Sequence, residues 1–138
     1  TKEGMFGIRV AHQLREKDFT GRYLSSNGDE GEKGCWGKRA EWVKLEGNIE
    51  GNDVGVAIIN HPTSTNYPTY WHARSYGLFA ANPLGQYVFQ KSRKEENPQK
   101  FELTLEQGRG APFNFRVVVY DGPRTKEQID AISADYAK

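Results

Sequence analysis

The densest mix of aromatic and polar side chains with chemistry to offer lies between His61 and Gly85, in the run HPTSTNYPTYWHARSYGLFAANPLG. It holds two of the three histidines, His61 and His72, with Arg74, Asn82, Trp71, Tyr67, Tyr70 and Tyr76. Apolar, strand-like stretches precede and follow it. A dense polar-aromatic insertion between strands is the sequence form of a site carried on a rigid scaffold.

Within TYWHAR, strand alternation puts Tyr70, His72 and Arg74 on one face and Trp71 and Ala73 on the other. A face bearing a phenol, an imidazole and a guanidinium is an unusual core filling and a usual pocket lining. Three chemistries fit. Flat rings at Tyr67, Tyr70, Trp71 and Tyr76, with placed polar groups at His61, His72, Arg74 and Asn82, suit a sugar, whose apolar C–H face is ringed by hydroxyls. His72, tuned by Arg74 or a carboxylate, suits general acid–base work and makes these two residues the catalytic candidates. His61 and His72 are the metal candidates, but their spacing matches no local ligand motif and no third ligand is near. No cofactor is therefore predicted. The competing reading is structural: His72 and Arg74 pin a long loop to backbone carbonyls, and the aromatics pack it.

Other catalytic signatures are missing. There is no G-x-S-x-G, no P-loop and no G-x-G-x-x-G, and no pair of carboxylates stands out as a glycosidase pair. His12 reads as an edge residue at the end of the first strand. His61 precedes Pro62, which holds it extended and ends strand pairing there. The single cysteine, Cys35, lies in a glycine-rich loop and excludes an internal disulfide.

Nineteen basic and 18 acidic residues leave a net charge of +1, which argues against a bulk electrostatic grip on nucleic acid or an anionic membrane. No apolar run approaches the roughly 20 residues that span a bilayer, so the chain reads as soluble. Mean hydropathy is −0.79 and hydrophobic residues make up 36%, so the core must lean on 3 Trp, 7 Tyr and 7 Phe. Fifteen glycines and six prolines favour many short elements.

Period-2 alternation dominates. It predicts strands at Phe6–Val10, near Tyr23, at Lys38–Leu45, Asp53–Asn60, Leu78–Ala81, Gln86–Gln90, Phe101–Glu106 and Phe113–Tyr120. Residues 13–37 read as an exposed loop, and Lys91–Lys100 as a solvated turn. Asp53–Asn60 is apolar on both faces and should be central. One helix, about 125–137, closes the chain: Thr125 and Gln128 have capping-box spacing, and Ile129, Ile132 and Tyr136 form its apolar stripe. The expected fold is all-β, an antiparallel sandwich of about eight strands with a C-terminal helix. Residues 1–138 form a single domain or the C-terminal portion of one.

The blocks KEGMFGIRVA (2–11), GKRAEWV (37–43), 61–85 and FRVVVYDG (115–122) resemble the PmoA family of bacterial proteins, in order and over nearly the whole chain. The resemblance is to the C-terminal half of that family's members, which implies an absent N-terminal half. That half, or another copy of the chain, would then cover an unpaired edge on the first strand. It also implies a galactose-mutarotase-like β-sandwich and an association with carbohydrate ligands, while the compartment stays open, with a bacterial periplasmic or secreted location as the candidate. His61, Pro62, Tyr67, Pro68, Trp71, His72, Arg74, Tyr76, Gly77, Asn82, Pro83 and Gly85 carry the family pattern. The chain departs from it at Asn60, where an Asp is expected before His-Pro, and at Leu84, where Phe is usual. Losing a carboxylate beside His61 weakens a metal or acid–base role there.

Overall fold

The computed structural model describes residues 4–138. Lys2 and Glu3, which open the first block of the resemblance, lie outside the described residues. In chain order the strands are β1 (Phe6–Arg9), β2 (Arg22–Ser25), β3 (Trp42–Ile49), β4 (Asn52–Asn60), β5 (Tyr70–Ala73), β6 (Leu78–Asn82) and β7 (Phe115–Asp121). The helices are α1 (Gly31–Cys35), α2 (Gln86–Ser92) and α3 (Lys126–Tyr136), with a 3-10 turn at His12–Leu14. All described strand pairs are antiparallel, in two sheets ordered β1-β6-β5 and β2-β3-β4-β7. The chain is an all-β sandwich.

β4 lies between β3 and β7, as its two apolar faces require. Val54, Val56 and Ile58 face the other sheet and join Val43, Leu45, Tyr23, Trp71, Phe79 and Ala81 in the inter-sheet core. Ala57 and Ile59 face outward with Trp42 and Tyr120, where Ile129 of α3 covers them. At about 25 cal/mol per Å² of apolar surface removed from water, burial on both faces makes β4 the strand that organises the sheet. The β3–β4 hairpin turns at Glu50 and Gly51, with φ of 52° and 87°. Two successive positive φ values match the twist of the flanking strands, and glycine supplies the second without strain.

α3 has the capping box its sequence announces. The Gln128 backbone N–H donates to Thr125 Oγ1 at 3.2 Å, and the Thr125 backbone N–H donates to Gln128 Oε1 at 2.9 Å.

Four expectations need correction. Gln86–Gln90 is helical: Phe89 alone of that segment is fully buried, and the Leu84 N–H donates to Asn82 Oδ1 at 3.0 Å, turning the chain into α2. Phe101–Glu106 forms no strand, because no neighbouring edge meets its alternating pattern, and Leu103 and Leu105 stay exposed. The 13–37 loop contains β2 and α1, and Cys35 is buried at the end of α1. Tyr70–Ala73, inside the expected insertion, is a strand in full register with β6. His12 lies in the 3-10 turn beyond β1, exposed.

β1 and β7 are edge strands of their sheets, joined across the sandwich by Phe6 stacked on Phe115 at 5.3 Å. Beyond that contact the inward side of β7 is uncovered, and Val119 is 77% exposed.

Candidate functional site

β5 divides the aromatic cluster between two faces. Trp71 points inward, fully buried, and its indole N–H donates to the Ala40 carbonyl at 2.9 Å. Tyr70 and His72 point outward and are roofed by α2. Tyr70 stacks on Phe89, carries the Arg39 guanidinium 4.6 Å from its ring centroid, and accepts from Gln90 Nε2 at 2.9 Å. His72 lies between Trp36 and Phe89, at 6.0 and 5.9 Å. Its remaining edge borders a 340 Å³ hollow floored by Gly7, Leu78 and Ala80. A Cβ on Gly7 would come within 3.0 Å of the Ala80 Cβ, so small residues keep that floor flat.

Arg39 ties down the loop before β5. It donates to the carbonyls of Asn66 and Pro68 at 3.1 and 2.6 Å and to Asn66 Oδ1 and Gln86 Oε1, both at 2.8 Å. Asn60 accepts from the Thr69 N–H at 3.0 Å, which gives the residue that replaces the expected Asp a structural task. Asn82 is fully buried. Tyr67 is half-buried with its hydroxyl against Glu41, and burial followed by that carboxylate pushes its pKa up to about 12.

His61 and His72 belong to different sheets. His61 follows β4, packs edge-on against Tyr136 at 4.8 Å and accepts from the Thr63 N–H at 3.1 Å. His72 faces α2. Among the described residues no three His, Cys, Asp or Glu side chains gather where a metal ion could bind.

The part of the cluster that remains open lies one step beyond β5. Arg74 Nε sits 3.1 Å from Glu32 Oε1, an ion pair without hydrogen-bond alignment. The Arg74 guanidinium also lies 5.8 Å from the Trp36 ring and 5.4 Å from Tyr76. Tyr76 is exposed and has Arg9 on it at 5.5 Å. α1 brings Glu32 here: the Glu32 N–H donates to Glu16 Oε1 at 2.9 Å, and Glu32 Oε2 accepts from the Ser75 N–H at 2.8 Å. α2 is capped by Arg93, whose guanidinium donates to the carbonyls of Trp36 and Lys33 at 2.8 and 3.5 Å.

Glu32, Lys33, Trp36, Arg74, Ser92 and Arg93 enclose a cleft of 370 Å³. A second hollow of 500 Å³, lined by Glu16, Lys17 and Ser75, shares Glu32 and Lys33 with it. The two make one groove over α1. Of the residues singled out from sequence, only Arg74 lines the cleft itself, with Tyr76 beside Arg74, while His72 lines the separate hollow over Gly7. Trp36, Glu32 and Arg93 escaped notice. A lone Trp in the glycine-rich run EGEKGCWG was the available signal, since an aromatic there has no strand to pack in.

A family model described as "Family of unknown function (DUF6807)" matches residues 1–134. The chain belongs to this family. No curated protein and no solved structure matches it. Membership in DUF6807 thus carries no activity, and the argument for function rests on the groove. No helix of the described chain is long and apolar enough to cross a membrane.

Proposed function

We propose that this DUF6807 domain is carbohydrate-binding or carbohydrate-active and that its ligand lies in the groove over α1. One observation carries the reading: Trp36 shares a single 370 Å³ cleft with Arg74, Glu32 and Arg93. A ring beside donors and acceptors held by other parts of the fold is what a pyranose needs, with apolar contact on one side and directed hydrogen bonds around it. The resemblance to PmoA-type and galactose-mutarotase-like proteins points the same way, as an association only. Glu32 and Arg74 restrain each other, so they serve as fixed hydrogen-bonding groups. His72 lines the hollow over Gly7 and not this cleft, so a role for it in proton transfer would lie outside the groove.

A screen of monosaccharides and glycans on the wild type and Trp36→Ala tests this. Binding that Trp36→Ala abolishes with the fold intact supports it, and no binding to any glycan overturns it.

The second reading is a non-catalytic structural or interaction module, favoured by the burial of Tyr70, Trp71 and Asn82 within the protein. On that reading another copy of the chain or another protein surface covers the β1 and β7 edges and no small ligand is bound. A metal-dependent oxidase is a distant third reading, tested by metal analysis of the purified protein.

A further inference from the structure

We infer that the groove selects an anionic sugar, one bearing a carboxylate or sulfate, which it holds at Lys33 and Arg93. This rests on the carbohydrate reading and adds the charge of the ligand to it. The cleft is asymmetric in charge. Arg74, Arg93 and Lys33 face it with Glu32 as the only carboxylate among the described residues, and Glu32 is already matched to Arg74 at 3.1 Å. Two positive charges are left over. Neither Arg93 nor Lys33 forms an ion pair among the described residues.

Arg93 is held for this task. Its Nη1 is fixed on the carbonyls of Trp36 and Lys33, and a Cβ on Gly37 would lie 3.3 Å from its Cδ, so its stem rests along the backbone at that glycine. Carbonyls orient a guanidinium without cancelling its charge. A guanidinium with one edge anchored and no carboxylate partner presents its remaining N–H donors in a planar fork, the geometry that matches carboxylate or sulfate oxygens. Lys33 lines the same cleft as a mobile point charge. Trp36, which lines the same cleft, supplies the surface for the apolar face of the same sugar ring. An exposed cation pair without an aromatic wall would attract any polyanion. The ring that shares the cleft with the cations is what restricts the choice to a sugar.

The balanced net charge of +1 makes this local excess meaningful, because the whole molecule has no general pull on anions. The adjoining hollow adds Lys17 and Glu16, which cancel each other, so the excess stays at the Trp36 end.

The test is calorimetric titration of the intact chain with a glucuronate-containing oligosaccharide, its neutral glucose counterpart, its sulfated counterpart and polyglutamate. Expected is binding of an anionic sugar at least tenfold tighter than the neutral one, weakened by added salt. Arg93→Gln and Lys33→Gln should each reduce it roughly tenfold or more, the scale of one charge-assisted hydrogen bond. The Lys33 side chain makes no hydrogen bond or ion pair among the described residues, and the substitution leaves its carbonyl in place, so Lys33→Gln reports on binding even if Arg93→Gln perturbs α2. The uronate and sulfate arms tell which anionic group is preferred. Equal binding of the neutral sugar, with no effect of either substitution, overturns this inference and leaves the carbohydrate reading standing. Binding of no sugar at all overturns both. Equal binding of polyglutamate shows an unselective cationic patch and overturns the inference as well.

Discussion

Tyr70 and Phe89 stack with ring centroids 5.6 Å apart and planes 23° apart, so the helix closes the face that alternation leaves open on β5. Phe89 also meets Trp36 edge-on at 5.3 Å and His72 at 5.9 Å. One side chain thus separates a buried tyrosine and histidine from the groove over α1. Phe89→Ala removes a fully buried ring and should cost about 3–5 kcal/mol, the usual range for such truncations. Urea denaturation checks this. A loss under about 1 kcal/mol would mean that α2 is not docked as described.

His72 is 5% exposed and wedged between two aromatic rings. His72→Ala should therefore lower stability by more than about 1 kcal/mol, beyond the range of surface substitutions. A thermal shift within that range, together with lost ligand binding or turnover, would instead make it a dedicated site residue. The two outcomes separate packing from chemistry at this position.

Arg39 spans three stretches of chain, donating to residues 66 and 68 and to Gln86 at the start of α2. Arg39→Lys keeps the charge and loses the planar fork, so carbonyls oriented for two N–H groups lose partners. The expected cost is about 1–3 kcal/mol. Limited proteolysis should show cleavage within residues 61–69 before global unfolding, and unchanged protease resistance there would refute the tether.

The sequence disclosed what local chemistry decides. The α3 capping box is set by Thr125 and Gln128 alone, and β4 announced its central place through apolar residues on both faces. α2 was hidden because Tyr87 and Phe89 alternate like a strand, while the helix is set by the Asn82–Leu84 turn and by Arg39 holding Gln86 from 47 residues away. The groove was hidden for the same reason. Glu32 reaches Arg74 and Ser75 only because Glu16 fixes the start of α1. Long-range hydrogen bonds between polar residues leave no periodicity to read.

Cys35 is 1% exposed, its thiol 3.3 Å from the Asp29 carbonyl as donor. Burial first, then the Asp29 carboxylate, pushes its pKa up to about 12, so it stays protonated at neutral pH. Since the thiolate is the reactive form, alkylation of the folded protein should be far slower than of the urea-unfolded chain. Equal rates would show that α1 opens freely.

The last prediction concerns alkaline pH. Tyr67 and Cys35 are both raised to about 12. Tyr23 is raised further, by burial and then Glu16 and Glu32, and Tyr120 by burial and then its hydrogen bond to Glu46. Each must stay protonated for its place in the fold: the Tyr23 hydroxyl donates to the Arg74 carbonyl at 3.0 Å, and that of Tyr120 to Glu46 Oε1 at 2.8 Å. In the unfolded chain a cysteine ionises near about 8.5 and tyrosines near about 10. Above those values the native state binds more protons than the unfolded one, so stability falls as pH rises. The contribution is complete below about pH 8.5 and is lost progressively from there through about pH 12. Urea midpoints measured at about pH 8 and about pH 11 should therefore drop sharply, and Tyr23→Phe should be less stable at the lower pH yet show a shallower decline. A flat profile across that window would mean that the phenols titrate freely and that the Tyr23 bond beneath Arg74 does not persist in solution.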